Sequence, residues 1–171
     1  MVDEKAGARE DNTLIVSWDS LERKKKELEE IMNVKIPQNK KDIEIAREYG
    51  DLRENFEYKS AKQQQAVLQR MQGEAQRDIE RAQGTDFANV PCDSVGIGTI
   101  VNIEDLASGD KETFTILGAW DGDVDKGIIS YLSEAAKALI GNAVGAEVEL
   151  PSDSAGVKRK VRITGIEAFR K

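Results

Sequence analysis

The sequence contains no histidine, only one cysteine and no long apolar run, and each absence excludes a class of site. Without histidine there is no imidazole base, which excludes Ser-His-Asp and Cys-His nucleophiles and the paired-histidine zinc proteases. The single cysteine, Cys92, excludes an internal disulfide and a metal-binding cysteine pair. No apolar run approaches the roughly 18–20 residues of a membrane span, and the start of the chain lacks the apolar centre of a signal peptide. We therefore expect a cytoplasmic protein with no membrane partner.

Charge is what the sequence has in abundance. Of its 171 residues, 33% are charged, 39% are hydrophobic and 5% are aromatic, which suits a long solvated helix joined to a small globular domain. The net charge is −7, so the chain as a whole differs from the strongly basic proteins that bind duplex DNA. The length allows one or two small hydrophobic cores.

The first half of the sequence predicts two long helices. Ser17 is a suitable N-cap, apolar residues follow it at helical spacing, and Pro37 is expected to kink or restart the helix. Gly50 is expected to end this arm, because glycine enters the left-handed region without a steric cost. Beyond the bend, small or apolar residues recur every seven positions, as expected where two antiparallel helices pack closely. These residues are Ala61, Leu68, Ala75 and Ala82.

The second half changes to alternating periodicity and predicts a small sheet domain. Segments rich in Val, Ile and Thr and bounded by Gly, Asp and Ser are typical of strands. They are Thr99–Ile103, Thr113–Leu117, Gly127–Tyr131, Ala146–Leu150 and Lys160–Ile166. A short helix is expected to follow a cap at Ser133 and to end at Gly141, with the sheet curled over it. The predicted parts are a flexible extension over 1–16, an antiparallel coiled coil over 17–84 with its tip near 50–58, a linker over 85–95 and an α+β domain over 96–171.

Two carboxylates, Asp51 and Glu54, stand at the bend. We expect Asp51 to start the second helix, which leaves both side chains at the exposed end of a long rod. Asp-x-x-Glu at a helix start resembles a capping box, and the helix dipole favours carboxylates there by about 0.3–1 kcal/mol each. Spacing alone therefore favours capping. A capping carboxylate keeps a free oxygen, so a chemical role can coexist with the cap.

The residues around the bend resemble the signature of the GreA/GreB family of bacterial transcript-cleavage factors. The matching residues are Arg47, Gly50, Asp51, Glu54, Asn55, Glu57 and Tyr58. A second stretch is similar to the other signature of the family; it contains Ile129, Ser130, Ser133, Ala138–Gly141 and Gly145. The resemblance covers nearly the whole chain from Ser17 onward, in the family's domain order. It departs at Phe56 and Glu134, where a small residue and a proline are common.

The resemblance implies a fold and a function together. The fold is α+β, with an N-terminal antiparallel helical hairpin (coiled coil) followed by a small FKBP-like α+β domain. The function is that of a transcription elongation factor that binds RNA polymerase and inserts its coiled-coil tip into the secondary channel. There it stimulates the polymerase's own cleavage of backtracked RNA 3′ ends. The implied partners are bacterial RNA polymerase and the nascent RNA 3′ end, and the chain acts as a monomeric cofactor rather than an enzyme.

Within that function the resemblance implies roles for particular residues. Asp51 and Glu54 are the catalytic pair and share a transient Mg²⁺ with the polymerase, with no metal tightly bound to the isolated chain. The residues expected to support the tip are Arg47, Gly50, Asn55, Glu57 and Tyr58. Ser130 and Ser133 are candidates for docking on the polymerase. The basic run Arg23, Lys24, Lys25 and Lys26 is either a solvated helix face or a contact with RNA or polymerase.

Two other functions remain open. The chain could be a pure binding module, either an inhibitor that occupies the secondary channel or a coiled-coil adaptor whose acidic pair only caps a helix. Such a module would not shorten RNA. A prolyl isomerase or chaperone is the third option, but its pocket requires aromatic residues that core packing explains better here. A calcium loop starting at Asp121 is disfavoured, because its sixth position is Lys126 and its twelfth is Leu132.

Overall fold

The computed structural model of the chain describes residues 12–51, 53–151 and 156–171. It divides into two compact units, one formed by Leu21–Ala82 with Asn12 and the other by Thr13–Ser20 with Gln83–Lys171. The first eleven residues of the predicted extension lie outside the described residues. None of the described helices is long and apolar enough to cross a membrane.

The first unit is a helical hairpin. Helix α1 (Trp18–Glu30) continues through a π-helical segment (Ile31–Lys35) into helix α2 (Ile36–Glu48), and helix α3 (Phe56–Arg81) forms the second arm. The expected interruption near Pro37 takes the form of this π-helical segment, and the proline lies in the first turn of α2. A proline there cannot donate to the preceding turn, and a wider turn accommodates the lost hydrogen bond.

The seam between the two arms of the hairpin is mostly apolar. Ile43 and Ala46 of α2 and Leu68 and Ala75 of α3 are buried, and the last two belong to the predicted seven-residue repeat. A polar residue is also buried in the hairpin: Asn39 donates its Nδ2 hydrogen to the carbonyl oxygen of Ala61 at 2.9 Å. This hydrogen bond ties α2 to α3 at one fixed position.

The second unit contains a five-stranded sheet. Its strands are β3 (Thr99–Asp105), β4 (Lys111–Leu117), β5 (Ile128–Ser130), β6 (Glu147–Pro151) and β7 (Lys158–Ala168), in the spatial order β5-β4-β3-β7-β6. All neighbours are antiparallel except β4 and β5, and a bulge interrupts the β3–β7 register between Asn102 and Ile103. Helix α4 (Glu134–Leu139) packs Ala136 and Leu139 into the sheet's core. The predicted α+β fold class, with a helical hairpin followed by a curled sheet, is confirmed.

Serine caps begin two helices where the sequence predicts them. The Ser17 hydroxyl accepts from the backbone N–H of Ser20 at 3.1 Å, and α1 begins at the next residue after Ser17. The Ser133 hydroxyl accepts from the N–H of Ala136 at 3.2 Å in the first turn of α4. Each satisfies one of the N–H groups that a helix leaves unpaired at its start.

Two short strands were not predicted. Strand β1 (Leu14–Ser17) overlaps the predicted flexible extension, and strand β2 (Ala82–Thr85) overlaps the end of the predicted coiled coil; they form a two-stranded sheet. Val16 of β1 is fully buried, and the backbone of Ile15 bonds to the rest of the second unit, donating to the Tyr131 hydroxyl and accepting from the N–H of Ala119. The extension prediction is therefore wrong for Leu14–Val16. Four residues are too few to establish an alternating pattern in the sequence.

The segment predicted as a linker packs against the sheet domain at two points. Phe87 is buried, and its ring meets the ring of Phe169 edge-on at 6.3 Å between centroids. Val95 belongs to the core of the sheet domain, and its N–H donates to the carbonyl oxygen of Asn142 at 2.9 Å. Isolated apolar residues among turn-forming ones gave no periodic signal for this packing.

An ion pair across the sheet surface gives the second unit a pH dependence. Arg159 of β7 donates to both carboxylate oxygens of Glu112 on β4, at 2.5 and 2.9 Å. These hydrogen bonds lower the pKa of Glu112 below its ordinary value. A carboxyl group whose pKa is lowered by folding stabilises the fold above its unfolded pKa, and that contribution is lost as the pH falls through the folded pKa.

We expect Glu112→Gln to lower the free energy of unfolding at pH 7 by about 0.5–1 kcal/mol, since the pair is partly exposed and screened by solvent. The difference from the wild type should shrink as the pH falls below about 4.5 and vanish once Glu112 is protonated. Urea unfolding between pH 3 and 7 measures it. Glu149→Gln is the matched control, because Glu149 contacts Lys158 through one oxygen at 3.9 Å and both side chains are exposed. Equal pH profiles for the two variants would contradict the assignment.

Candidate functional site at the hairpin tip

The hairpin tip, residues 49–58, joins α2 to α3. Tyr49 follows the end of α2, and its N–H still donates to the carbonyl oxygen of Ala46 at 3.3 Å. Gly50 comes next with a φ of 112°, a value that L side chains rarely adopt, so glycine is required at this point in the turn. Helix α3 begins only at Phe56. The prediction that Asp51 starts the second helix is therefore wrong by several residues.

Asn55 is the N-cap of α3, and its side chain bonds both arms of the hairpin. Its Oδ1 accepts from the N–H of Tyr58 at 2.9 Å, and its Nδ2 donates to the carbonyl oxygen of Ala46 at 2.7 Å. One amide thus satisfies an unpaired N–H at the start of α3 and a carbonyl near the end of α2. Asparagine is among the best N-cap residues, and that signal was present in the sequence. Asp51, one of the acidic residues ahead of Asn55, was predicted as the helix start instead.

The position of the true cap leaves the two carboxylates outside the helix. Asp51 Oδ1 accepts from the N–H of Arg53 at 3.0 Å and lies 3.7 Å from the Nε of the same residue. Both contacts use one oxygen of Asp51, and both stay within the turn. Glu54 precedes the N-cap, so it cannot occupy the third helical position that a capping box requires. Asp51 and Glu54 are both exposed, and the capping explanation for the pair does not hold in this structure.

Arg47 and Tyr58 connect the two arms beside the tip. The Arg47 guanidinium lies 5.9 Å from the centroid of the Tyr58 ring, within the range of a cation–π contact. Glu57 lies in the first turn of α3, where the helix dipole favours a negative charge. The structure thus brings together at the tip the residues predicted there: Arg47, Gly50, Asp51, Glu54, Asn55, Glu57 and Tyr58. Their functional roles stay predictions.

The tip also carries a shallow depression that the sequence did not reveal. Its lining residues are Tyr49, Asp51, Glu54, Asn55, Phe56 and Glu57. Within the described part of the chain, no group of three or more Asp, Glu, Cys or His side chains is placed to hold a metal ion. Asp51 and Glu54 supply hard oxygen ligands, but they fit an ion completed by other groups rather than a closed protein site.

The remaining candidate residues lie elsewhere. The basic run of α1 takes part in ion pairs at helical spacing, with Lys24 3.8 Å from Glu27 and Lys25 3.4 Å from Glu22. Ser133 caps α4, and the Ser130 hydroxyl accepts from the N–H of Leu132 at 3.1 Å. Both serines thus have local structural roles in the second unit. Contact of the basic run with RNA or polymerase, and docking through the serines, stay predictions.

We expect Asn55→Ala to destabilise the start of α3 by about 1 kcal/mol, because it removes the cap and the bond to Ala46 together. Hydrogen exchange at the Tyr58 amide should then accelerate by roughly 5-fold, as local opening becomes easier. Asn55→Asp is the matched variant: it retains an acceptor for Tyr58 but cannot donate to Ala46. It should protect Tyr58 better than alanine does. An unchanged exchange rate in Asn55→Ala would show that the cap does not hold the tip.

Comparison with known proteins gives matches over both halves of the chain. A family model described as "Transcription elongation factor, N-terminal" matches residues 14–83. A second, described as "Transcription elongation factor, GreA/GreB, C-term", matches residues 90–168. The two matches together span the helical hairpin and the sheet domain in order.

Two relatives named GreA are similar to this chain over most of their own length. Transcription elongation factor GreA of Treponema pallidum is 42% identical over 135 residues, which cover 79% of this chain and 83% of that protein. GreA of Nautilia profundicola is 42% identical over 129 residues, 75% of this chain and 80% of its own. Among solved structures, GreA factor homolog 1 (Gfh1) of Thermus thermophilus is 23% identical over 91% of this chain and 99% of its own, with a TM-score of 0.41.

Proposed function

The chain belongs to the GreA/GreB family of transcription elongation factors, and from this we propose that it binds RNA polymerase and stimulates cleavage of backtracked RNA. In this proposal the hairpin tip enters the polymerase's secondary channel, and the chain acts as a monomer. The polymerase supplies the RNA 3′ end and its own active-site metal. The chain supplies the tip and is not a free-standing enzyme.

The observation that carries the proposal is the placement of Asp51 and Glu54. Helix α3 is capped by Asn55, so neither carboxylate is needed as a cap. Both are exposed at the end of the hairpin, in the same depression. Exposed side chains that lie close together and contribute little to the fold are available to contact a binding partner.

Asp51 and Glu54 would hold a Mg²⁺ ion jointly with the polymerase and the RNA phosphate. Magnesium typically binds proteins through one or two carboxylates and takes its other ligands from water and substrate phosphates. When bound, such an ion polarises the phosphodiester and lowers the pKa of the attacking water. The two tip carboxylates fit this role by their chemistry and number.

The rest of the tip has the task of orienting these carboxylates. The N–H of Arg53 fixes one oxygen of Asp51, and Asn55 fixes the start of α3 directly after Glu54. The Arg47–Tyr58 contact supports the same turn from the side of α2. The entropy cost of ordering the tip is therefore largely incurred on folding, before the tip contacts the RNA. This is the general advantage of a preorganised site.

The proposal is tested with a stalled, backtracked polymerase complex and RNA labelled at its 5′ end. Adding the wild-type chain should shorten the RNA and restore extension when nucleotides are supplied. Binding of the polymerase without any shortening would overturn the proposal and favour the channel-occupying inhibitor. No binding to polymerase at all would favour the adaptor, and turnover of proline peptides without polymerase would favour the isomerase.

A further inference from the structure

Two aromatic side chains stand in solvent beside the tip carboxylates. Phe56, the first residue of α3, is 83% exposed, and Tyr49, just after α2, is 70% exposed. Both residues line the depression that Asp51 and Glu54 also line. Single exposed apolar residues are ordinary on protein surfaces. Here, however, two exposed aromatic residues lie next to the candidate catalytic pair, so the depression combines an aromatic surface with two carboxylates.

We propose that Phe56, assisted by Tyr49, stacks on the first extruded base of the backtracked RNA, immediately 3′ of the phosphodiester that is cleaved. This rests on the proposed function, in which Asp51 and Glu54 meet that phosphodiester. Aromatic side chains hold single-stranded nucleotides by stacking, and every base offers a face for it. The site would therefore take a nucleotide of any sequence.

Two bases flank the phosphodiester that is cleaved, and the extruded base on its 3′ side is the one that the rings can stack on. The base on the 5′ side is paired with the template and stacked between its neighbours, so its faces are occupied. The base on the 3′ side has lost its template partner and is free to stack. Because the rings and the carboxylates share one depression, a nucleotide whose phosphate reaches the carboxylates brings its base to the rings.

The charges around Phe56 favour a nucleotide over a protein surface as the occupant. A protein that covered the depression would have to bury the carboxylates of Asp51, Glu54 and Glu57, which is costly without matching cations. In the proposed function a nucleotide arrives with the divalent cation that neutralises them. Lys59 places its Nζ 5.9 Å from the centroid of the Phe56 ring. It adds a positive charge near the RNA phosphates while the ring remains largely exposed.

The test compares Phe56 variants on two RNAs, one normal and one with an abasic ribose at the first extruded position. Cleavage rates are measured at saturating protein in the backtracked complex. On normal RNA, Phe56→Ala should slow cleavage roughly 5- to 150-fold, which corresponds to the loss of one stacked base. Phe56→Leu, which keeps bulk but lacks a ring, should be nearly as slow, and Phe56→Tyr should retain the wild-type rate. On abasic RNA all four proteins should cleave at the same reduced rate.

The outcomes separate this inference from the proposed function. If Phe56→Ala matches the wild type on normal RNA, stacking is overturned while cleavage by the wild type still supports the function. If Phe56→Ala loses as much rate on abasic RNA as on normal RNA, the ring contacts the polymerase and not a base. If the wild type cleaves neither RNA, the proposed function fails and the inference fails with it. Phe56 is exposed, so its substitution leaves the fold intact, which thermal unfolding of each variant verifies.

Discussion

A chain that carries Asp51→Asn and Glu54→Gln together should bind RNA polymerase like the wild type and stimulate cleavage roughly 100-fold less. Asparagine at 51 still offers an Oδ1 acceptor to the N–H of Arg53, so the turn keeps its hydrogen bond. Neither side chain caps α3, and the N-cap Asn55 is unchanged. The substitutions therefore remove charge and metal affinity while they preserve shape. Cleavage rates and polymerase affinity, measured on the same preparations, test both halves of the expectation.

The matched control removes two carboxylates from the same hairpin away from its tip. Glu74→Gln with Glu80→Gln changes the net charge by the same amount at positions of α3 outside the tip. It should cleave at the wild-type rate. Raising the Mg²⁺ concentration should partly restore cleavage by the single variants Asp51→Asn and Glu54→Gln, because one carboxylate still remains as a ligand. Full activity in the Asp51→Asn, Glu54→Gln double variant would show that these carboxylates take no part in the cleavage reaction.

Gly118→Ala should lower the free energy of unfolding of the second unit by about 2–3 kcal/mol, the cost of overpacking a tight contact. A Cβ atom at Gly118 would lie 2.6 Å from both the carbonyl oxygen of Ile15 and the Cα of Val16, and it would also meet the carboxylate of Asp121. These are backbone atoms of β1 and a side chain that is already engaged. Asp121 accepts from the N–H of Ser17 at 2.9 Å and from the hydroxyls of Ser17 and Ser20. Displacing the Asp121 carboxylate would break these hydrogen bonds at the start of α1.

Gly122→Ala provides the control, since a Cβ atom there would meet its nearest neighbours only at 3.9 Å. It should change the free energy of unfolding by no more than about 0.5 kcal/mol. Urea unfolding followed by tryptophan fluorescence reports on both variants, because Trp18 and Trp120 lie in the same unit. Equal stability for the two alanine variants would mean that β1 shifts at no cost, contrary to the packing described above.

The sequence predicted the elements that repeat a pattern over many residues. The five strands of the sheet were found from alternating Val, Ile and Thr, and the hairpin from a seven-residue repeat whose Leu68 and Ala75 are buried. The serine caps of α1 and α4 were found because their chemistry is local. The composition of the tip was also found, through its resemblance to a family signature.

The sequence did not predict features set by contacts between distant residues. Strand β1 is held in place by the burial of Val16 and by the hydrogen bond from the N–H of Ala119 to Ile15. Neither contact produces a recognisable pattern in a segment of only four residues. The start of α3 was misplaced because Asp51 and Asn55 are both good caps by type. The bond from Asn55 to Ala46, nine residues earlier, decides between them, and only the folded turn brings those groups together.

The buried hydrogen bond from Asn39 to Ala61 has a consequence for how such hairpins can vary in length. Sliding one arm past the other by a single turn, about 5.4 Å, would break this bond. It would also take the buried residues of the seven-residue repeat, Leu68 and Ala75, out of register with the other arm. Growth of the hairpin that preserves this register must then add matched segments to both arms. With a seven-residue repeat, each such step lengthens the arm by about 10.5 Å. The distance that the acidic end can reach is therefore adjustable in evolution only by coarse, whole increments.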